Sequence, residues 1–188
     1  MVAAAFVAWL GAALVVLADG RRGLALGLAL LTAALAALAW PAGMALGVVA
    51  ITAGGLVAAI RCWRSGPATW EIMPPGSTPR LVLCVASGLV ALWVAASLTT
   101  GTGAPLRFAV LVVVGLMGGR IQISPEGPAV MAAIAAFALV LGVAPGLAPT
   151  APGPFAAVAG GLIAGGVMFV PAARTRLASS PAADKDGA

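Results

Sequence analysis

The chain has 188 residues, of which 62% are hydrophobic and 8% charged, with a formal net charge of +5, 25 Gly, and neither His nor Tyr. Soluble domains carry about 45–50% apolar and about 25% charged residues, so this chain lacks the polar side chains to cover a water-facing surface. An ordinary globular domain and a disordered segment are both excluded. What remains is an integral membrane protein: an all-α bundle with a single transmembrane domain over residues 1–173 and a polar, disordered cytoplasmic tail over 174–188.

A helix crossing the hydrocarbon core needs about 20 apolar residues, and the charges cut the chain into runs of that scale. Met1 to Ala18 is the first, closed by Asp19, Arg21 and Arg22. It lacks a basic start and a small-x-small cleavage site, which predicts an anchoring span rather than a removed signal peptide. Gly23 to Ile60 carries no charge. As one helix it would be about 57 Å long at ~1.5 Å per residue, and Trp40-Pro41-Ala42-Gly43 near its middle supplies the reversal between two spans. Leu81 to Leu98 is the fourth span. Gly127 to Ala173 is a second uncharged hairpin, broken by the Pro-rich stretch from Pro145 to Pro154. The predicted spans are about 2–18, 24–40, 44–60, 81–98, 104–119, 128–144 and 154–172.

The fifth is the weak one. Arg107 and Arg120 leave about 12 uncharged residues between them, under the ~17 a crossing needs, so Leu106 to Gly119 spans only if Arg107 extends its head to an interface. Loop charge decides in favour of the crossing, because Lys and Arg collect in short cytoplasmic loops. Seven spans with the N-terminus outside put Arg21, Arg22, Arg61, Arg64, Arg80, Arg120, Arg174, Arg176 and Lys185 on one side and Arg107 alone on the other. Without the fifth crossing the basic residues divide evenly. The expectation is therefore seven spans, N-terminus out and C-terminus in, in the cytoplasmic membrane.

Several features read as structure. Arg61, Trp63, Arg64 and Trp70 lie in the largest loop, a candidate contact with lipid headgroups or with a partner protein. Cys62 and Cys84 form no Cys-x-x-Cys pattern and read as inert buried thiols. Glycines four apart, Gly23/Gly27, Gly43/Gly47, Gly115/Gly119 and Gly161/Gly165, are expected to make close helix contacts. Glu126 near Arg120 reads as an exposed pair of little worth. Ala53-Gly54-Gly55-Leu56-Val57-Ala58 matches Ala159-Gly160-Gly161-Leu162-Ile163-Ala164 in character, which raises a 3+1+3 parallel repeat; such repeats occur in small carriers, although the Pro-Gln dipeptide usual in them is absent.

Chemistry-bearing residues are scarce. Asp19, Glu71, Glu126, Asp184 and Asp186 all fall in loops or the tail, which leaves no carboxylate for a mid-membrane proton or cation site and no general base for catalysis. No enzyme activity, metal or cofactor is expected, and the dispersed arginines point to orientation in a lipid bilayer rather than to nucleic acid. Two functions remain. One is an accessory or scaffold subunit of a membrane complex, packed against other subunits or its own copies. The other is a small carrier or channel for a neutral or anionic solute, with Arg107, Ser87, Ser97 and Thr52 (joined by Thr32) as candidate substrate contacts. The hydroxyls should gather round a cavity if the chain is a carrier and scatter if it is a scaffold.

Overall fold

Prolines mark where helices begin. Pro79, Pro105 and Pro128 each occupy the first turn of a helix, and Pro154 caps another, positions where a missing N–H and a fixed φ cost nothing. Between these starts the Ala- and Leu-rich runs have high helix propensity. The computed structural model describes residues 1–43, 45–65, 78–98, 103–123, 127–147 and 154–170, and these are all-α. Seven helices run in order: α1 (Val2–Leu17), α2 (Arg21–Ala39), α3 (Ala45–Arg64), α4 (Thr78–Leu98), α5 (Ala104–Ile123), α6 (Gly127–Val143) and α7 (Phe155–Val167). Short 3₁₀ turns at Trp40–Ala42 and Ala144–Leu147 follow α2 and α6. After the first of these, Gly43 takes φ 72°, a left-handed conformation that favours glycine, and the chain reverses into α3.

Four stretches are long and apolar enough to cross a membrane: Arg21–Ala39, Ala45–Arg64, Ala104–Gln122 and Gly127–Leu147. Val2–Leu17, Thr78–Val94 and Phe155–Val167 are shorter apolar helices. The segment weakest in sequence, around Leu106–Gly119, is among the long ones. Both arginines are drawn into α5, which at 20 residues reaches ~30 Å, the thickness of a hydrocarbon core. α7 is shorter than its predicted span. It ends in an i→i+3 turn, with the amides of Phe169 and Val170 bonded to Gly166 and Val167, where Gly165-Gly166 weakens the helix.

The helices form two layers. α1 packs on α2 and α2 on α3; α5 packs on α6 and α6 on α7. The layers stack in the same order, α1 on α5, α2 on α6 and α3 on α7, with α4 outside against α5 and α1. Repeats related by a two-fold axis along the helices would place α1 beside α7 instead. The two similar hexapeptides nevertheless meet, because α3 and α7 cross at Gly54 and Gly161.

Leu24, Leu28, Leu31 and Leu35, on one stripe of α2, are fully buried with Ile51, Leu116 and Leu139. The backbones approach where two helices each offer a glycine. A Cβ on Gly11 would lie 2.7 Å from the Leu31 amide nitrogen and 2.9 Å from the Gly27 carbonyl; one on Gly160 would lie 2.5 Å from the Ala138 carbonyl. One on Gly54 would collide with Gly161 itself. The four-residue spacing rule finds only part of this. Gly161 and Gly165 both face α3, and Gly27 faces α1, but Gly115 meets nothing within 4 Å and Gly43 sits in a turn. Cross-helix pairs carry the contacts, and spacing along one helix does not reveal them.

Candidate functional site

After α1 ends, Ala18 is extended and its amide still bonds to Leu14 O at 2.8 Å. Gly20 is extended in turn and opens α2. This tight link presents Asp19 toward α4 and α5. Arg80, in the first turn of α4, donates from Nη1 to both carboxylate oxygens, at 2.9 and 2.7 Å. Arg120, in the last turn of α5, donates from Nη2 to Ala18 O at 3.1 Å and to Asp19 Oδ1. Arg120 is only 2% exposed, and its Nε and Nη1 are buried with no acceptor among the described residues. Burial alone would raise the Asp19 pKa, but the hydrogen bonds and charges of Arg120 and Arg80 outweigh it and hold the carboxyl below its ordinary value.

This cluster corrects one reading of the sequence. Arg120 is a buried side chain whose partner is Asp19, not an exposed one beside Glu126, which lies outside the described residues. Asp19 keeps its expected place in a loop, where it is the hub that ties the α1–α2 link to α4 and α5. The available signal was positional: the first acidic residue falls on the same side as Arg80 and Arg120 in the seven-span arrangement.

Arg21, Arg22, Arg61 and Arg64 gather at the same end. Arg21 donates to Ser65 O, the Cys62 thiol lies 3.6 Å from Arg21 O, and Arg22 sits 5.5 Å over the Trp63 ring. Arg61 sits 4.0 Å over Phe169. Of the predicted loop contacts, Arg61, Trp63 and Arg64 belong to the end of α3 rather than to a loop: Trp63 meets α2, Arg61 meets the turn after α7, and Arg64 is exposed; Trp70 lies outside the described residues. Cys62 and Cys84 are both free and buried. The tail 174–188 also lies outside the described residues.

The predicted solute contacts are spread over four helices, α2 to α5. Ser87 on α4 donates back to Cys84 O at 3.2 Å. Thr32 on α2 donates back to Leu28 O at 2.7 Å and packs against Gly55. Thr52 is half-buried on α3, and the Ser97 side chain lies outside those described. Among the described residues α4 packs chiefly on α5 and α1, so Ser87 stands apart from the α2–α3 seam at which Thr32 packs. Arg107 stands at the far end of α5 from Arg120, half-buried, beside a 420 Å³ cavity lined by Leu38, Pro41, Gly103, Pro105, Leu106, Gly146 and Met1. Two further grooves, of 410 Å³ between α3 and α7 and 330 Å³ between α6 and α7, are apolar and face outward.

The class this defines is an all-α bundle with an apolar exterior and its described charged side chains, Arg107 excepted, massed at one end. Comparison with protein-family models, curated proteins and solved structures finds no match in any of the three.

Proposed function

We propose that the chain is an accessory or scaffold subunit of a membrane complex: a seven-span protein of the cytoplasmic membrane, N-terminus out and C-terminus in, with no catalytic chemistry of its own. The observation that carries this reading is the fate of the described hydroxyls. Ser87 and Thr32 are bonded back into their own helices, as isolated hydroxyls in apolar helices are, and they sit on α4 and α2, which have no substantial packing between them among the described residues. A path for a polar solute needs such groups facing one another.

Membrane placement is supported by the exterior. Phe6, Leu10, Leu46, Val49, Leu56, Leu89, Leu111, Leu141 and Leu162 are all exposed, and a belt of that extent is unfavourable in water. The massed arginines support the orientation, since basic ends stay in the cytosol. α4 supports a lateral partner: Leu81, Val82, Val85, Leu89, Leu92 and Trp93 project from it, Trp93 at 72% exposure.

The test is purification in mild detergent from cells expressing the chain at native level. A stoichiometric membrane partner that survives size exclusion is the expected result. A lone monomer or homodimer would overturn the subunit reading in favour of the carrier.

A further inference from the structure

Four helix ends meet around a cavity of 180 Å³ at the arginine-rich end of the bundle: the start of α2, the end of α3, the start of α6 and the turn after α7. Its wall holds a cation. Arg21 reaches across from α2 and donates from Nη1 to Ser65 O, while Cys62 donates from Sγ to Arg21 O at 3.6 Å. Arg21, Cys62 and Ser65 all line the cavity, so the guanidinium that bridges from α2 to Ser65 runs along its wall. The rest of the wall, Pro128, Met131, Met168 and Val170, is apolar. The space is smaller than the ~300–1,000 Å³ of a drug-sized site, and it suits a head group rather than a whole amphiphile.

The charge on this wall is not answered within the described chain. Arginine carries five N–H donors, and Ser65 O takes from Nη1 alone. Asp19 is the single carboxylate among the described residues, and both of its ion pairs are with Arg80 and Arg120. Arg61 adds a further cation close by, stacked over Phe169 between the lining residues Met168 and Val170. Trp63, half exposed beside Arg22, sets this end at the head-group depth that indole favours. A cation, an apolar remainder and that depth together fit a phosphate joined to a hydrocarbon body.

We infer that this cavity seats the phosphate of an anionic phospholipid from the leaflet at this end of the bundle, its oxygens on the Arg21 guanidinium and its glycerol and first methylenes against Met131, Met168 and Val170. The inference rests on the membrane placement proposed above and not on the subunit reading. A water-borne phosphate monoester offers the same head, but the apolar part of the wall favours the lipid.

The experiment is native mass spectrometry of the full chain released from nanodiscs of equal phosphatidylglycerol and phosphatidylcholine with the same acyl chains. One phosphatidylglycerol retained per chain, in clear preference to phosphatidylcholine, is expected. Arg21→Gln should weaken retention at least about tenfold, as loss of a charge-assisted hydrogen bond implies. Arg64→Gln removes the same charge at the same end but outside the cavity lining, and should weaken it no more than about fivefold, the worth of one basic residue near an anionic surface. Met168→Trp changes no charge and fills the cavity, so it should weaken retention too, and it covers the case in which the Arg21 variant misfolds. Equal loss in Arg21→Gln and Arg64→Gln, or full retention by Met168→Trp, overturns the site in favour of diffuse attraction. Displacement of the lipid by millimolar glycerol 3-phosphate overturns the assignment to a membrane ligand. A chain that enters the nanodiscs and retains no phosphatidylglycerol overturns the site alone, whereas a chain that enters none overturns the membrane placement as well.

Discussion

Arg120 and Asp19, 101 residues apart, meet in a part-buried charge-assisted hydrogen bond that joins the last turn of α5 to the link between α1 and α2. The same guanidinium nitrogen bonds Ala18 O, so one side chain fixes both the carboxylate and the backbone beside it. Arg80 completes the cluster from α4. Two cations face one anion, and the more buried cation keeps two donors without an acceptor.

The cluster's asymmetry ranks its variants. Asp19→Asn leaves both guanidiniums without a counter-charge, and should cost on the order of 3 kcal/mol, typical of breaking a buried pair from one side. Arg80→Gln should cost under about 1 kcal/mol, because Arg80 is the solvent-reached member, at 21% side-chain exposure, and such pairs are worth little. Arg120→Met should cost less than Asp19→Asn, since it removes the buried charge together with its unanswered donors. Thermal unfolding in one detergent gives the order; Arg80→Gln as the most damaging of the three would contradict it.

Acid should act on the same carboxylate. The folded-state pKa of Asp19 is depressed, so its contribution is complete above the unfolded value of about 3.9 and is lost as pH falls through the lower folded value. The stability gap between the unmodified chain and Asp19→Asn should stay level from pH 8 to pH 5 and narrow only below about pH 4. Melting curves of both proteins across that range test this. A gap that closes near pH 6 would assign the coupling to another group.

How far the fold could be read from the sequence follows from what each signal depends on. The turn at Trp40–Gly43 and the helix boundaries rest on Pro, Gly and charge, which act locally, and they agree with the observed elements to within a few residues except at α7. The Asp19 cluster depends on three helix ends converging, and no local pattern around Arg120 separates a buried arginine from one at an interface. The glycine contacts divide the same way: spacing flagged Gly161 and Gly165, but the partner of Gly11 is fixed only by α1 lying on α2. Arg107 stands apart in the sequence as a lone outer charge, and in the fold it lies at the end of α5 opposite the Asp19 cluster.

The side on which each end lies is open to chemical labelling. With Cys62 and Cys84 replaced by Ala, single cysteines at Gly43, Gly103 or Gly146 should react with a membrane-impermeant maleimide added to intact cells, and one at Arg64 should react only after lysis. The seven-span, N-out arrangement requires this pattern, because Gly103 and Gly146 belong to the end opposite the arginine cluster. Protection of residue 146 together with labelling of residue 103 would mean that α5 or α6 does not cross, since those are the two crossings that separate them.

Two glycine substitutions distinguish packing from composition. Gly54→Ala places a methyl group inside van der Waals contact of the Gly161 backbone. Backbone atoms cannot swing aside as a side-chain tip can, so α3 and α7 must separate, and overpacking of this kind typically costs about 1–3 kcal/mol. Gly115→Ala meets nothing within 4 Å, and in mid-helix it should stabilise by up to about 1 kcal/mol through helix propensity alone. Opposite signs are therefore expected from the same chemical change on two helices of similar composition. Unfolding in mixed micelles at a fixed detergent ratio measures both. If Gly54→Ala proved as benign as Gly115→Ala, α3 and α7 would have to lie further apart at Gly54 and Gly161 than this close backbone approach.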